Sequence, residues 1–382
     1  MTRGFLLMNM LAKGDKQWSD VSAKEQMNYL HSLKQPKTDY QRSFAQYKCQ
    51  NYFRPNVKII CLELFSAFLY VPLLLYYLIK GLTINKQEQS IDAVGEFKGM
   101  PEIIPDSINN IYEINNEIWS VASSIAFRDL GFVLSIAMHY LYSPYFALKC
   151  LAKVAKYSSF IRLFNPRAII VHAEYTFTSS VLTAFCEKNG VKHINVMHGE
   201  KLVYIGWSFF RFSECYVWGE HYKKLLIDMG AEPTQFIIEI PPALRIDVEA
   251  NYKQESYTDY KYYLQIYTED ELRSIINSMS FIEKEGKTLC YRPHPRFSDI
   301  HLLEKYIPKT MIEYPRETSI LTSISSCHTV IGYCSTVLYQ AFLCGKEVIL
   351  DDVTYKQGNE QLKNHRYILS NNPSINSLSS YQ

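Results

Sequence analysis

The sequence predicts an α/β protein of two Rossmann-like domains facing each other across a cleft. Three observations predict it. Apolar runs of strand length end in polar residues, as at 167–174 and 191–199. Stretches of helical length follow, opening on Ser or Thr and stopping at Gly, as at 178–190. The same grammar returns in the second half of the chain. Doubly buried strands read as continuous apolar runs, and strand–helix alternation builds parallel sheets that bind ligands at the carboxyl ends of their strands.

Taken in order, residues 1–16 lack the length and cleavage site of a secretory signal and read as part of the folded chain. Residues 64–79 are the most hydrophobic segment, short of the roughly twenty residues that a spanning helix needs. They read as a buried core helix or as a segment lying in a membrane interface, and last as a true span. Lys34, Lys37, Arg42, Lys48, Arg54 and Lys58 precede them and Lys80 follows, a distribution suited to an anionic inner leaflet. Residues 83–116 read as a polar connection. In 142–164, Lys149, Lys153 and Lys156 share one helical face, which predicts a solvated amphipathic helix ahead of one that docks on a membrane.

Strands are then predicted at 167–174, 191–199, 214–219 and 236–241, with helices at 178–190 and 221–230. The second half continues with one helix over 269–285, a strand at 287–296, a strand at 328–334, a helix at 335–345 and a strand at 346–352. The polar tail, 370–382, reads as frayed. The expected domains are 1–218, on the acceptor side and carrying the basic, apolar segment 58–82, and 219–382, on the nucleotide-donor side. Two facing sheets place the seam near 219–250.

The chain of 382 residues carries a formal net charge of +2, so no strong field selects a nucleic acid and none is expected as a partner. Its nine cysteines are odd in number and form no C-x-x-C pair, which points to a reducing cytosol and away from disulfides or structural zinc. No Walker, dinucleotide, nucleophile-elbow or zincin motif occurs, and no D-x-D. Neither a cofactor nor a metal is expected.

Three strand-end motifs carry candidate chemistry. In Arg292-Pro293-His294-Pro295-Arg296, two prolines hold the backbone extended and set His294 between two guanidinium groups. Such a cluster suits a donor phosphate. At Tyr333-Cys334-Ser335-Thr336, hydroxyls and the free N–H groups of a helix start make an anion site. His198, Gly199 and Glu200 end one strand and His172 and Glu174 the strand before it. Either Glu174 or Glu200 is a candidate general base near an acceptor hydroxyl, with His172, His198 and Gly199 lining the acceptor side.

The Arg-Pro-His-Pro loop followed by a strand–Ser/Thr–helix unit resembles the His-Pro and Ser-rich motifs of bacterial sialyltransferases, polysialyltransferases and Kdo transferases. The His198-Gly199 step is similar to that of CDP-glycerol transferases, and residues 168–242 resemble transferases of capsule and O-antigen synthesis. The resemblance covers residues 165–352. It implies the GT-B fold, a nucleotide-sugar donor and a lipid-linked oligosaccharide acceptor at the inner membrane surface. On the same analogy His294 meets the donor phosphate, assisted by Ser335 and Thr336. An acidic pair followed by Gly, the base motif of the sialyltransferases, is not present. CMP-ulosonic acid, UDP-hexose and CDP-polyol donors therefore all stay open, as does a role as a non-catalytic partner in polysaccharide assembly.

Overall fold

The computed structural model describes residues 15–83, 90–96, 101–116, 121–245 and 257–382. The reading of residues 1–14 as part of the fold lies outside them. The chain divides into two compact units. The first is Met1–His198 with Val203–Pro242; the second is Gly199–Leu202 with Ala243–Gln382.

The first unit holds strands β1 (Ala93–Gly95), β2 (Ile114–Asn115), β3 (Ala168–Val171), β4 (Lys192–Val196), β5 (Glu214–Val217) and β6 (Phe236–Ile238). They form one sheet in the order β2-β1-β3-β4-β5-β6, and every pairing is parallel. Buried Ile170, Ile194, Val196 and Tyr216 form its core with Ile104 and Ile108. The second unit holds β7 (Thr258–Tyr263), β8 (Leu289–Arg292), β9 (Cys327–Gly332), β10 (Glu347–Leu350) and β11 (Asn376–Ser377). Their order is β11-β10-β9-β7-β8, again all parallel. Tyr262, Leu272, Ile275, Ile282 and Ile331 lie at the centre of this second core. In both sheets the strand order reverses next to the first strand, between β1 and β3 and between β7 and β9. A crevice at such a reversal is where open parallel sheets bind ligands.

Each unit is thus α/β with a parallel sheet, as the sequence predicts, and Gly190, Gly230 and Gly345 end helices with φ of 70°, 84° and 71°. Several particulars differ. The break follows Pro242 instead of 218, because β6 pairs with β5 and stays in the first sheet. The region 83–116 is no mere connection; it supplies β1 and β2, too short to show as apolar runs. The helix expected over 269–285 is two, Glu269–Ser278 and Ser280–Lys284, because the break at Met279 turns Phe281 and Ile282 into the core. The tail is docked: β11 pairs with β10, Leu378 is buried, and Ser379 bonds Asp352 through its amide at 2.9 Å and its hydroxyl at 2.6 Å.

The helix Pro144–Phe164 is a core element, not a solvated one: Cys150, Leu151, Val154, Ala155, Tyr157 and Ile161 are all buried. Its lysines have a specific partner. Lys153 and Lys156 reach Glu96, just past β1, at 3.2 and 2.8 Å. Burial pushes the Glu96 carboxyl up, but the two ammonium groups outweigh it and hold the group below the ordinary range. Tyr157 carries the network on, donating to Glu96 at 3.1 Å and lying 3.1 Å from Nε2 of buried His193. Burial drives the His193 imidazole down to about 3, so it is neutral.

The apolar segment forms the helix Asn56–Thr83, and the core-helix reading is overturned, since only Ser66 and Gly81 are buried along it. By length and hydropathy it is one helix long and apolar enough to cross a membrane.

Candidate active site

In the first unit the structure brings three of the predicted residues together beyond β3 and β4. Nδ1 of His198 lies 3.8 Å from a carboxylate oxygen of Glu174, and the His172 and His198 rings are 4.6 Å apart. Glu174 is 2% exposed, whereas His198 is open to solvent. The loop carrying Glu174 is held by buried amide side chains. Asn195 Oδ1 accepts from the Ala173 amide at 2.8 Å, and Ser179 Oγ donates to the Ala173 carbonyl at 2.8 Å. Gln46, on the helix Asp39–Asn51, donates to the Glu174 carbonyl at 2.6 Å and to the Gly206 carbonyl at 2.9 Å. Gln50, one turn on, donates to Tyr175 and to Gly206. The backbone of the base candidate is thereby fixed from two sides, which is what a positioned carboxylate needs. Asn195 was legible as a polar residue inside an apolar strand; Gln46 and Gln50, distant in sequence, gave no signal.

Glu200 and Gly199 belong to the second unit, where Glu200 acts on the surroundings of the helix Thr336–Leu343. Burial first, then the Glu200 charge, pushes the Cys334 thiol and the Tyr339 hydroxyl up to about 12. Gly199 is not demanded by a close neighbour, since a Cβ built on it meets no protein atom within 4 Å.

The remaining candidates of the second unit lie past β8 and β9, the strands on either side of β7. His294 is half-buried, its ring stacked on Phe297 at 4.5 Å. Burial, then the Arg296 charge, lowers its pKa. The Arg296 amide donates to Nδ1 at 3.1 Å, so the neutral ring carries its proton on Nε2. Ser298 fixes the loop: its hydroxyl accepts from the His294 amide at 2.8 Å and donates to the Gln265 carbonyl, just past β7, at 2.6 Å. Ser335 caps the helix by accepting from the Val337 amide at 3.3 Å, leaving Thr336 in its first turn. Gly332, before this turn, is closely approached: a Cβ there would lie 3.2 Å from the Tyr263 carbonyl oxygen.

Arg292 departs from expectation. Its guanidinium, 6% exposed, is ion-paired with Glu313 and donates to the Thr318 carbonyl at 2.8 Å. Lys261, 2% exposed, binds the same carboxylate and the Ser323 carbonyl at 2.9 Å. Arg292 therefore ties β8 to the following segment, and exposed Arg296 is the cation of this motif on the surface. Among the described residues, no three His, Cys, Asp or Glu side chains converge to hold a metal ion.

No protein family and no curated protein sequence matches the chain. Solved structures similar to it include the wall teichoic acid polymerase TagF, 8% identical over 85% of this chain and 81% of that one, TM-score 0.40. The lipopolysaccharide outer core galactosyltransferase WaaB is 12% identical over 69% and 81%, TM-score 0.39. UDP-N-acetylglucosamine 2-epimerase from Rickettsia bellii is 10% identical over 69% and 79%, TM-score 0.38. The architecture rests on the strand orders above, not on these distant likenesses.

Proposed function

We propose that this chain is a GT-B glycosyltransferase that transfers a sugar from a nucleotide-activated donor to a lipid-linked glycan during capsular or O-antigen synthesis on the cytoplasmic side of the membrane. The observation that carries the reading is the pairing in the second unit of a neutral His294, protonated on Nε2, with the N-terminus of the helix Thr336–Leu343. The two follow strands that flank β7 at the strand-order reversal. Both are donors suited to a phosphate oxygen that gains charge as a glycosyl bond breaks.

In the reaction the acceptor hydroxyl oxygen attacks the anomeric carbon, forming the new glycosidic bond. The bond from that carbon to the donor phosphate oxygen breaks with its electron pair, and the nucleotide leaves. Glu174, the base, takes the acceptor proton. His294 donates its N–H to the leaving phosphate, and the helix start adds backbone donors beside Ser335 and Thr336. Direct displacement inverts the anomeric centre and uses no metal. The His-Pro motif favours a CMP-ulosonic acid donor.

A nucleotide-release assay tests the reading. Purified protein is given CMP-sialic acid, CMP-Kdo, UDP-galactofuranose, UDP-hexoses or CDP-glycerol, with and without lipid-linked acceptor extract. Acceptor-dependent release of CMP from a CMP-ulosonic acid is expected. Release from a UDP or CDP donor replaces the donor assignment, and conversion of a UDP-sugar without acceptor replaces transfer by epimerisation. No turnover of any donor by folded protein overturns the enzyme reading.

A further inference from the structure

We infer that the first unit docks onto an anionic lipid bilayer with the helix Asn56–Thr83 lying lengthwise in one leaflet. The helix has two unlike sides. Its protein side carries Glu63, Ser66, Tyr77 and Gly81, and it is tied down along its length. Ser143 Oγ and the Tyr145 amide donate to Glu63 at 2.8 and 2.7 Å, and the Ile125 amide donates to the Tyr77 carbonyl at 3.0 Å. Gly81 packs so closely that a Cβ would lie 2.1 Å from the Ile125 carbonyl oxygen. The other side is apolar and bare: Val57, Leu64, Phe68, Leu75, Ile79 and Leu82 recur at helical spacing, and Phe68 is 80% exposed.

Three arguments select a bilayer over a second copy of the chain. With Ile60, Phe65, Leu69, Val71 and Tyr76, the exposed large apolar positions cover an arc of about 180° at 100° per residue, wider than the seam one partner helix fills. The surface continues onto neighbouring turns. Leu141 and Tyr142, both 68% exposed, precede the residues that bond Glu63; Phe127, 80% exposed, follows the Ile125 that bonds Tyr77. Charge is placed for anionic headgroups: Lys80 stands exposed at one end, Arg128 beside Phe127, and Lys34 and Lys48 line a cavity of about 320 Å³ next to Tyr142. The only acid between Ile59 and Ile79, Glu63, is turned to the protein side. Lengthwise insertion follows from the tied side. A spanning orientation of this roughly 42 Å helix would draw the Glu63 network and the Pro144–Phe164 helix into hydrocarbon. Lying flat leaves them in water.

Co-sedimentation of the full chain with phosphatidylcholine vesicles, with and without 30% phosphatidylglycerol, tests this. Binding to the anionic vesicles is expected, weakened by salt and reduced at least about tenfold by Phe68→Glu/Leu75→Glu. Both side chains are exposed, and an unchanged circular dichroism spectrum excludes misfolding. Lys34→Glu/Lys48→Glu, away from the helix, should weaken only the anionic component. Failure of the folded protein to bind either vesicle overturns the inference, as does binding unaffected by both double variants. A dimer in solution that Phe68→Glu/Leu75→Glu dissociates, without vesicle binding, assigns the surface to a second copy and also overturns it. None of these outcomes bears on donor turnover, so the transferase reading stands or falls separately.

Discussion

Replacing Glu313 with alanine should unfold the second unit far below the wild-type temperature while leaving its surface chemistry untouched. The carboxylate is 13% exposed and holds Lys261 and Arg292, 2% and 6% exposed, so the substitution leaves two buried cations facing each other without a counter-charge. Removing one partner of a buried ion pair typically costs about 3–5 kcal/mol. The unit has about 140 residues, for which the unfolding entropy amounts to roughly 0.3 kcal/mol/K, so Tm should fall by about 10–17 °C. The pH dependence has a definite sign. Burial raises the Glu313 carboxyl, but Lys261, Ser323 and Arg292 outweigh it and set the folded value below the ordinary one. Its contribution is therefore complete above the unfolded value, about 4.3, and is lost as pH falls through the lower folded value. Calorimetry of wild type and Glu313→Ala from pH 3 to 8 checks both claims: the gap should be wide at neutral pH and close in acid. A Tm within about 3 °C of wild type at pH 7 would refute the structural role given to this triad and return Arg292 to the list of phosphate ligands.

Four further outcomes follow from the same geometry. His294→Ala should lower turnover by about 10²–10³-fold while Tm changes by under about 2 °C, and NMR should find the His294 midpoint below its ordinary 6.5. Glu174→Gln should cut turnover by about 10²–10⁴-fold with donor affinity preserved, read from kcat and KM separately. Glu200→Gln should tighten nucleotide binding about two- to fivefold by removing a negative charge from the helix start; weaker binding in titration calorimetry would show that the carboxylate serves the ligand. Gly81→Val should destabilise the first unit by about 1–3 kcal/mol in denaturant unfolding, because the backbone at Ile125 cannot move aside.

What the sequence made legible was local chemistry. The strands at 168–171 and 192–196, the helix stops at Gly190, Gly230 and Gly345, and the Ser335 cap all follow from residues within one element. Long-range partners were not legible. Arg292 reads as a surface cation until Glu313, twenty-one residues on, is seen against it. β1 and β2 have three and two residues and show no periodicity, yet β1 sits beside β3 at the strand-order reversal. The Asn56–Thr83 helix was ambiguous for a related reason: hydropathy cannot tell a buried helix from a bare one, and only the contacts of Glu63, Tyr77 and Gly81 assign its sides. At the site, residue types pointed to the His172–Glu174–His198 group but could not show that the Glu200 charge acts on Cys334 and Tyr339.

The most direct test of the transferase account is titration calorimetry of the purified protein with CMP, CDP, UDP and GDP, repeated with His294→Ala and Thr336→Val. The account predicts saturable binding of one nucleotide, CMP first among them, lost or sharply weakened in both variants. A folded protein that binds no nucleotide, or binds one with an affinity neither variant alters, would contradict it.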